Sequence, residues 1–116
     1  MKKFMICAAL FFAAVFQAQT CSELVQYAKS EDPYPDRVTP VGSSMLAKAE
    51  FYEVDGGGGL VIAYIKQNDY DFSGKPYIFC GISSQRWSKF KSEGLYGGSY
   101  GKAFHAYIMD YTCNCR

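Results

Sequence analysis

The sequence contains one histidine, His105, and this scarcity limits the chemistry that the chain can perform. A single imidazole excludes a metal site built on two histidines and any mechanism that needs two imidazole groups. The acidic residues show no spacing that singles out a catalytic pair of carboxylates. The four glycines at 56–59 are not followed by the Lys-Ser or Lys-Thr pair of a phosphate-binding loop, so they predict a turn. The sequence therefore predicts no catalytic residue, no metal and no cofactor.

The chain also lacks a large excess of either charge, with 12 basic and 11 acidic residues and a formal net charge of +1. This balance excludes a strongly basic nucleic-acid-binding protein. The charge is unevenly distributed, since residues 19–75 hold five basic and nine acidic residues, whereas residues 76–116 hold five basic and two acidic residues. Any attraction to phosphate must therefore come from the second of these segments.

No apolar run in the sequence is long enough to cross a bilayer as a helix. The longest, residues 4–16, would span about 20 Å, whereas a hydrocarbon core is about 30 Å thick. Two lysines precede this run and the small residue Ala18 follows it, as in a secretory signal peptide. We therefore predict a signal peptide over residues 1–18, a secreted or periplasmic location and no transmembrane anchor. Lipidation of Cys21 is the alternative, but the residue before Cys21 is not the small one that a lipoprotein signal requires.

The cysteine count fits an oxidising compartment. Cys7 belongs to the predicted signal peptide, and the four that remain are Cys21, Cys80, Cys113 and Cys115. An even number of cysteines in a small exported chain predicts two disulfides. Cys113 and Cys115 are too close in sequence to bridge each other without strain, so we expect one to pair with Cys21 and the other with Cys80, in either order. A zinc site of four thiolates is the alternative, although its ligand pairs are usually spaced differently.

Hydrophobic periodicity predicts an α+β fold. Residues 45–52 alternate between apolar and polar, residues 60–65 form a β-branched and aromatic run, and residues 77–82 predict a third strand. Two short connections join these three strands, which favours an antiparallel meander.

A helix is expected before the strands. Ser22 can cap a short helix that ends near Asp32, and a proline-rich connector completes the segment 19–42. The remaining residues, 43–116, form the main domain together with its cysteine-bearing C-terminus.

Two more helices are expected after the strands. The first is predicted from Ser83 or Ser84 to Gly94, and the second from Lys102. The apolar residues at helical spacing are Trp87, Phe90, Phe104, Tyr107, Ile108 and Tyr111. The predicted architecture is a three-stranded antiparallel β-meander with two short helices packed on one face, plus an N-terminal helix and disulfide-linked termini.

Several patterns in a fixed order carry a resemblance to a known family. They are Ser43-Ser44 before the first strand, Tyr77-Ile-Phe79, the apolar anchors Trp87 and Phe90, Ser99-Tyr-Gly-Lys-Ala-Phe-His105, and then Ile108. Over residues 43 to about 108 the chain resembles the KTSC domain, which occurs at the C-terminus of some lysyl-tRNA synthetases and alone in small bacterial proteins. His105 stands where that family has asparagine. The resemblance implies a binding module, with RNA as the ligand suggested by the synthetase context.

The resemblance and the charge distribution together select a candidate binding surface. Its members are Tyr77, Phe79, Arg86, Lys89, Lys91, Lys102 and His105. Tyr77 and Phe79 would lie on one face of a strand, where aromatic rings can stack on bases. The alternative is that both rings pack beneath Trp87 and Phe90, and that the basic residues belong to solvated helix faces.

These observations favour an exported, non-enzymatic binding module of the KTSC type, with a nucleic acid or an envelope or extracellular protein as partner. A secreted protein-interaction or inhibitor module is the second hypothesis, because small, disulfide-linked, aromatic-rich domains suit that role. A small secreted hydrolase or nuclease centred on His105 is the third, since one imidazole can act as a general acid or base near neutral pH.

Overall fold

The computed structural model of the protein describes residues 20–40, 42–54 and 58–115, so the predicted signal peptide lies outside the described residues. The elements are α1 (Cys21–Glu31), β1 (Asp36–Val38), β2 (Leu46–Val54), β3 (Gly58–Ile65), β4 (Lys75–Ile82), α2 (Ser84–Tyr96) and α3 (Tyr100–Tyr107). This order of an antiparallel sheet and flanking helices confirms the predicted α+β class. No helix of the described ranges is long and apolar enough to cross a membrane.

The sheet has four antiparallel strands in the order β1-β2-β3-β4, so the prediction of three strands was wrong. The additional strand is β1, which places Asp36 opposite Phe51 and Val38 opposite Ala49. It is only three residues long and begins directly after Pro35 in the proline-rich connector. So short a strand shows no alternation of its own, and it is defined by its pairing with β2.

Strand β3 lies between β2 and β4 and is apolar along most of its length because helices cover both faces of the sheet. Val61 and Ala63 face one buried cluster, which also contains side chains of α2 and α3. Leu60 and Ile62 face a second cluster, which contains Ala28 of α1. The sheet therefore separates the predicted helix pair from the N-terminal helix.

The core between the sheet and the helix pair is built largely from aromatic rings. Trp87 stacks on Phe51 with 5.3 Å between ring centroids, and Phe104 meets Phe79 edge-on at 5.2 Å. Phe90 is completely buried among them. The predicted burial of Trp87 and Phe90 beneath one helix face is confirmed.

Helix α1 begins two residues earlier than a helix capped by Ser22 would begin. Thr20 is the N-cap, and its hydroxyl accepts a hydrogen bond from the Glu23 N–H while the Glu23 carboxylate accepts one from the Thr20 N–H. The prediction of Ser22 as the cap was wrong, because the reciprocal pair with Glu23 satisfies two N–H groups at once. The helix ends at Glu31 with Asp32 as its C-cap, which confirms the predicted end near Asp32.

Helix α2 starts at the predicted N-cap, Ser83, but continues beyond Gly94 to Tyr96, with Gly97 as its C-cap. Gly94 is buried inside the helix, and a Cβ atom there would lie 2.1 Å from Cδ1 of Tyr100. The residue therefore permits close packing of α2 against α3, and the prediction that it ends the helix was wrong.

Two disulfides close the structure, Cys21–Cys115 and Cys80–Cys113. This confirms that the C-terminal cysteines reach separately to Cys21 and Cys80, and it settles the order that the sequence left open. The four thiolates of a zinc site are therefore not available. Two disulfides in so small a chain indicate folding in an oxidising compartment.

Candidate ligand-binding groove

The two aromatic residues of the predicted binding surface lie on the same side of β4 but in different environments. Phe79 is only 3% exposed and packs against Phe104, so its ring belongs to the core. Tyr77 is 39% exposed near the start of the strand. The cation above its ring is Lys75, with Nζ 5.6 Å from the ring centroid. The packing interpretation therefore holds for Phe79, whereas Tyr77 is accessible to a ligand.

Arg86 and Lys91 are both engaged in contacts that hold the fold together. The Arg86 guanidinium lies 4.5 Å above the Tyr111 ring and donates a hydrogen bond to the Tyr107 carbonyl, at 3.3 Å. Lys91 forms an ion pair with Asp36 of β1. These contacts tie α2 to the end of the chain and to the sheet edge.

Asp36 also accepts a hydrogen bond from the Trp87 indole N–H, at 2.7 Å. Burial by itself would raise the pKa of Asp36, but the hydrogen bonds from Lys91 and Trp87 outweigh it and lower that pKa below its usual value. The carboxylate therefore stays charged and holds α2 against strand β1 at the edge of the sheet.

Lys89, Lys102 and His105 are exposed on the two C-terminal helices. The ion pairs of the described chain involve none of them. The Lys102 main-chain N–H donates a hydrogen bond to the hydroxyl of Ser99, which is the N-cap of α3. Ser99 is also the first residue of the motif Ser99–His105 that carries the KTSC resemblance. Of the seven predicted binding residues, Phe79 is buried and two basic residues have structural partners, whereas the other four are exposed: Tyr77, Lys89, Lys102 and His105.

The two serine-containing motifs of the KTSC resemblance meet in the fold. Residues 42–44 and 98–101 line a small hollow of about 200 Å³. The Ser43 hydroxyl accepts hydrogen bonds from the N–H groups of Met45 and Leu46, and the Ser99 hydroxyl caps α3. Ligand cavities usually exceed about 300 Å³, and both hydroxyls already accept hydrogen bonds, so a structural role explains the two serines.

A larger concavity lies on the opposite face of the sheet, between α1 and β4. We call it the α1 groove. Its volume is about 680 Å³, and it is lined by Cys21, Ser22, Val25, Gln26, Lys29, Ile62, Tyr64, Pro76, Tyr77, Ile78, Phe79, Thr112, Cys113 and Cys115. Its floor is apolar, because β3 and β4 turn Ile62 and Ile78 toward α1. Its volume falls within the range of small-molecule sites.

The groove exists because α1 is short and lies over only part of the sheet. Ala28 is the completely buried residue of the helix and packs with Tyr52, Leu60 and Ile62, toward the centre of the sheet. Ile78 on β4 stays half-buried. The helix therefore covers β3 more fully than β4 and leaves an opening above β4.

The C-terminal segment, residues 109–115, forms the remaining wall of the groove. The Cys80 N–H donates to the Tyr111 carbonyl at 2.7 Å, and Thr112 forms a bridge with Phe79 at the outer edge of β4. Disulfides then join Cys113 to Cys80 of β4 and Cys115 to Cys21 of α1. The walls of the groove are thus covalently linked to one another.

The charged side chain among the described lining residues of the groove is a cation. Lys29 of α1 lines it directly, and the described lining residues include no Asp or Glu. Lys48 lies 4.4 Å above the ring of the wall residue Tyr64, and its ammonium group is also 3.9 Å from the Glu50 carboxylate. The groove therefore combines an apolar floor with positive charge along its border.

The wall residue Tyr64 is held by a buried carboxylate. Glu50 is 4% exposed, and its Oε1 accepts hydrogen bonds from the hydroxyls of Tyr52 and Tyr64, at 3.2 and 3.3 Å. Its Oε2 accepts from Arg37, at 2.9 Å from Nε and 2.8 Å from the terminal nitrogen. Burial and the Glu50 charge raise the pKa of Tyr52 to about 12 and also raise the pKa of Tyr64. Both phenols therefore stay protonated and donate to the carboxylate.

A comparison with protein-family models, with curated proteins and with solved structures finds no match. The function must accordingly be argued from the geometry of this chain.

The sequence did not predict the α1 groove, although two of its lining residues, Tyr77 and Phe79, were among the predicted binding residues. Its residues come from α1, from two strands and from the C-terminal segment, so no local motif contains them. The cysteine pattern is the feature of the sequence that bears on the groove, because it predicts that the first helix and the C-terminal cysteines meet near β4. Within the described ranges, no group of three or more His, Cys, Asp or Glu side chains is placed to hold a metal ion. The arrangement is suited to hold an apolar ligand and to neutralise a negative charge on it.

Proposed function

We propose that the protein is an exported, non-enzymatic binding module with a KTSC-like domain, and that its ligand site is the α1 groove. The observation that carries this proposal is the groove itself, an open apolar concavity of about 680 Å³ beside an accessible tyrosine. Export is supported by the signal-like N-terminus and by the two disulfides.

The rigidity of the groove walls supports a binding role. The disulfides fix α1 and the C-terminal segment, and the Glu50 carboxylate fixes the Tyr64 hydroxyl. A site whose walls are already in place loses little conformational entropy when the ligand binds.

A non-enzymatic role is supported by the chemistry of the same residues. The described lining residues include neither a carboxylate nor an imidazole. The pKa of Tyr64 is raised, which makes its phenol a poor base at neutral pH. His105 lies on α3, across the sheet from the groove, because α3 packs on the other face.

RNA is the competing ligand, since the KTSC resemblance implies it. The surface predicted for RNA includes Arg86 and Lys91, whose charges are already paired with an aromatic ring and with Asp36. Its exposed cations, Lys89 and Lys102, lie on α2 and α3, and neither is among the described residues that line the apolar groove. Apolar contact in the groove is therefore the better-supported mode of binding. A mobility-shift assay on single-stranded RNA at low salt is the direct comparison.

The test uses an exposed glutamine of α1 and a matched glutamine of α2. Gln26 lines the groove, whereas Gln85 is exposed on the opposite side of the sheet. We expect the wild-type mature protein to bind the neutral apolar dye Nile red saturably. Gln26→Trp should abolish that binding by filling the groove, and Gln85→Trp should leave it unchanged. Absence of saturable dye binding in the wild type, or equal binding by both variants, would rule out the groove as the site.

A further inference from the structure

We infer that the ligand of the α1 groove is an apolar carboxylate whose negative head group pairs with Lys29. This inference rests on the proposed function and names the chemical class of its ligand. It depends on the charges at the groove and on the hydrogen-bonding groups at the edge of β4.

The charge pattern selects the sign of the head group. Lys29 is exposed and lines the groove, and the ion pairs of the described chain do not include it. Lys48 lies above the wall residue Tyr64, but its charge is shared with the Glu50 carboxylate, 3.9 Å away. An anion entering this site is attracted by Lys29, whereas a cation is repelled.

The number of lining cations selects the magnitude of the charge. Lys29 is the one cation among the described lining residues, and the nearby Lys48 is paired with Glu50. One ammonium group matches the single charge of a carboxylate. A phosphate monoester carries about −1.5 to −2 at neutral pH and is therefore less well matched.

The edge of β4 disfavours a peptide bound by strand addition. The Cys80 N–H points away from β3, because it donates to Tyr111. Since N–H groups alternate in direction along a strand, the position of Pro76 also points outward, and proline has no N–H to donate. Between these two positions, Ile78 is the residue whose main-chain N–H remains to donate a hydrogen bond to an added strand. A compact amphiphile needs no such ladder of hydrogen bonds.

The experiment compares three probes with the same chain and different head groups: decanoate, decanol and decylammonium. Each is titrated below its aggregation concentration into the mature, oxidised protein at low salt, and binding is followed by amide chemical-shift changes and by calorimetry. The variants are Lys29→Gln at the groove and Lys89→Gln as the matched control, because Lys89 is equally an exposed helix lysine but lies on α2. Both substitutions preserve helix propensity closely.

We expect decanoate to bind in the groove, with shifts at α1 and β4, and decylammonium to bind more weakly than decanol. Lys29→Gln should lower the ratio of decanoate to decanol affinity by about fivefold to tenfold, which corresponds to a charge-assisted contact of about 1 kcal/mol. Lys89→Gln should leave the ratio unchanged.

The possible failures of this inference and of the proposed function are separable. If neither decanoate nor decanol binds, the groove is not a ligand site and the proposed function fails. If both bind but Lys29→Gln leaves their affinity ratio unchanged, or if decylammonium binds best, the groove is a site but its ligand is not a carboxylate paired with Lys29.

Discussion

Glu50 is the residue on which the sheet face beneath α1 depends. Its carboxylate is buried between the hydroxyls of Tyr52 and Tyr64 and the guanidinium of Arg37. A buried charge is tolerated only when hydrogen bonds and an opposite charge replace its hydration. Alternation in β2 could predict that Glu50 and Tyr52 share a face, but the arrival of Tyr64 from β3 and Arg37 from β1 required the register of the sheet.

The first residue-scale prediction concerns stability at alkaline pH. The pKa of Tyr52 is raised from 10.0 to about 12, so the folded state binds this proton more tightly than the unfolded state does. The resulting stabilisation amounts to about 2–3 kcal/mol and is complete below about pH 10. It is lost as the pH rises toward about 12. Urea unfolding of the wild type across this range should show the loss.

Tyr52→Phe supplies the control for this prediction. The variant lacks the phenol, so it should be less stable than wild type at neutral pH and should lose less stability across the alkaline range. The pKa of Tyr64 is raised by the same causes, so part of the alkaline loss should remain in the variant. If wild type and variant lose stability in parallel, the Tyr52 proton is not linked to folding.

At the scale of elements, whether a strand could be predicted from the sequence depends on how many residues it contains. Strands β2, β3 and β4 contain eight or nine residues each, long enough for alternation or a continuous apolar run to show. Strand β1 has three residues and was missed. The end of α2 was misplaced because Gly94, a typical helix-ending residue, serves packing instead. The groove could not be predicted, because it depends on how far α1 extends over the sheet.

The element-scale prediction is that Gly94→Ala destabilises the protein although it improves helix propensity. In an exposed helix the same change would stabilise by about 0.5–1 kcal/mol. Here the new methyl group would meet the Tyr100 ring, whose Cδ1 lies 2.1 Å from the ideal Cβ position. The ring also packs edge-on against Phe90, at 5.9 Å, so it cannot move away without cost. We expect a net loss of about 1–3 kcal/mol in the free energy of unfolding, the usual cost of overpacking.

A double-mutant cycle isolates the contact between Gly94 and Tyr100. In a Tyr100→Ala background the obstructing ring is absent, so Gly94→Ala should become neutral or stabilising. Chemical denaturation of the four proteins measures both effects. A loss of the same size in both backgrounds would show that the Tyr100 ring is not the cause.

At the scale of the whole molecule, the two disulfides have different structural roles. Cys80–Cys113 holds the C-terminal segment on β4, where the hydrogen bond from the Cys80 N–H to Tyr111 already holds it. Cys21–Cys115 joins the start of α1 to the end of the chain across 94 residues of sequence. The fully buried side chain of α1 is small, Ala28, and Leu24 and Val25 pack beside it only half-buried. Helices α2 and α3 bury large aromatic rings, so α1 depends more on its covalent link than they do.

The whole-molecule prediction is therefore that loss of Cys21–Cys115 opens the α1 groove before it unfolds the core. In the chain-entropy model, the bridge across 94 residues contributes about 4–5 kcal/mol and the bridge across 33 residues about 3–4 kcal/mol. The double variant Cys21→Ala with Cys115→Ala should keep the near-ultraviolet signal of the buried Trp87, lose hydrogen-exchange protection in α1 and bind Nile red at least tenfold more weakly. The double variant Cys80→Ala with Cys113→Ala is the control, and it should keep α1 protected. Since the two bridges differ little in expected stability, a selective effect on α1 and on dye binding would reflect the position of the bridge. Equal loss of binding in both variants would mean that the groove depends on global stability and not on the anchoring of α1.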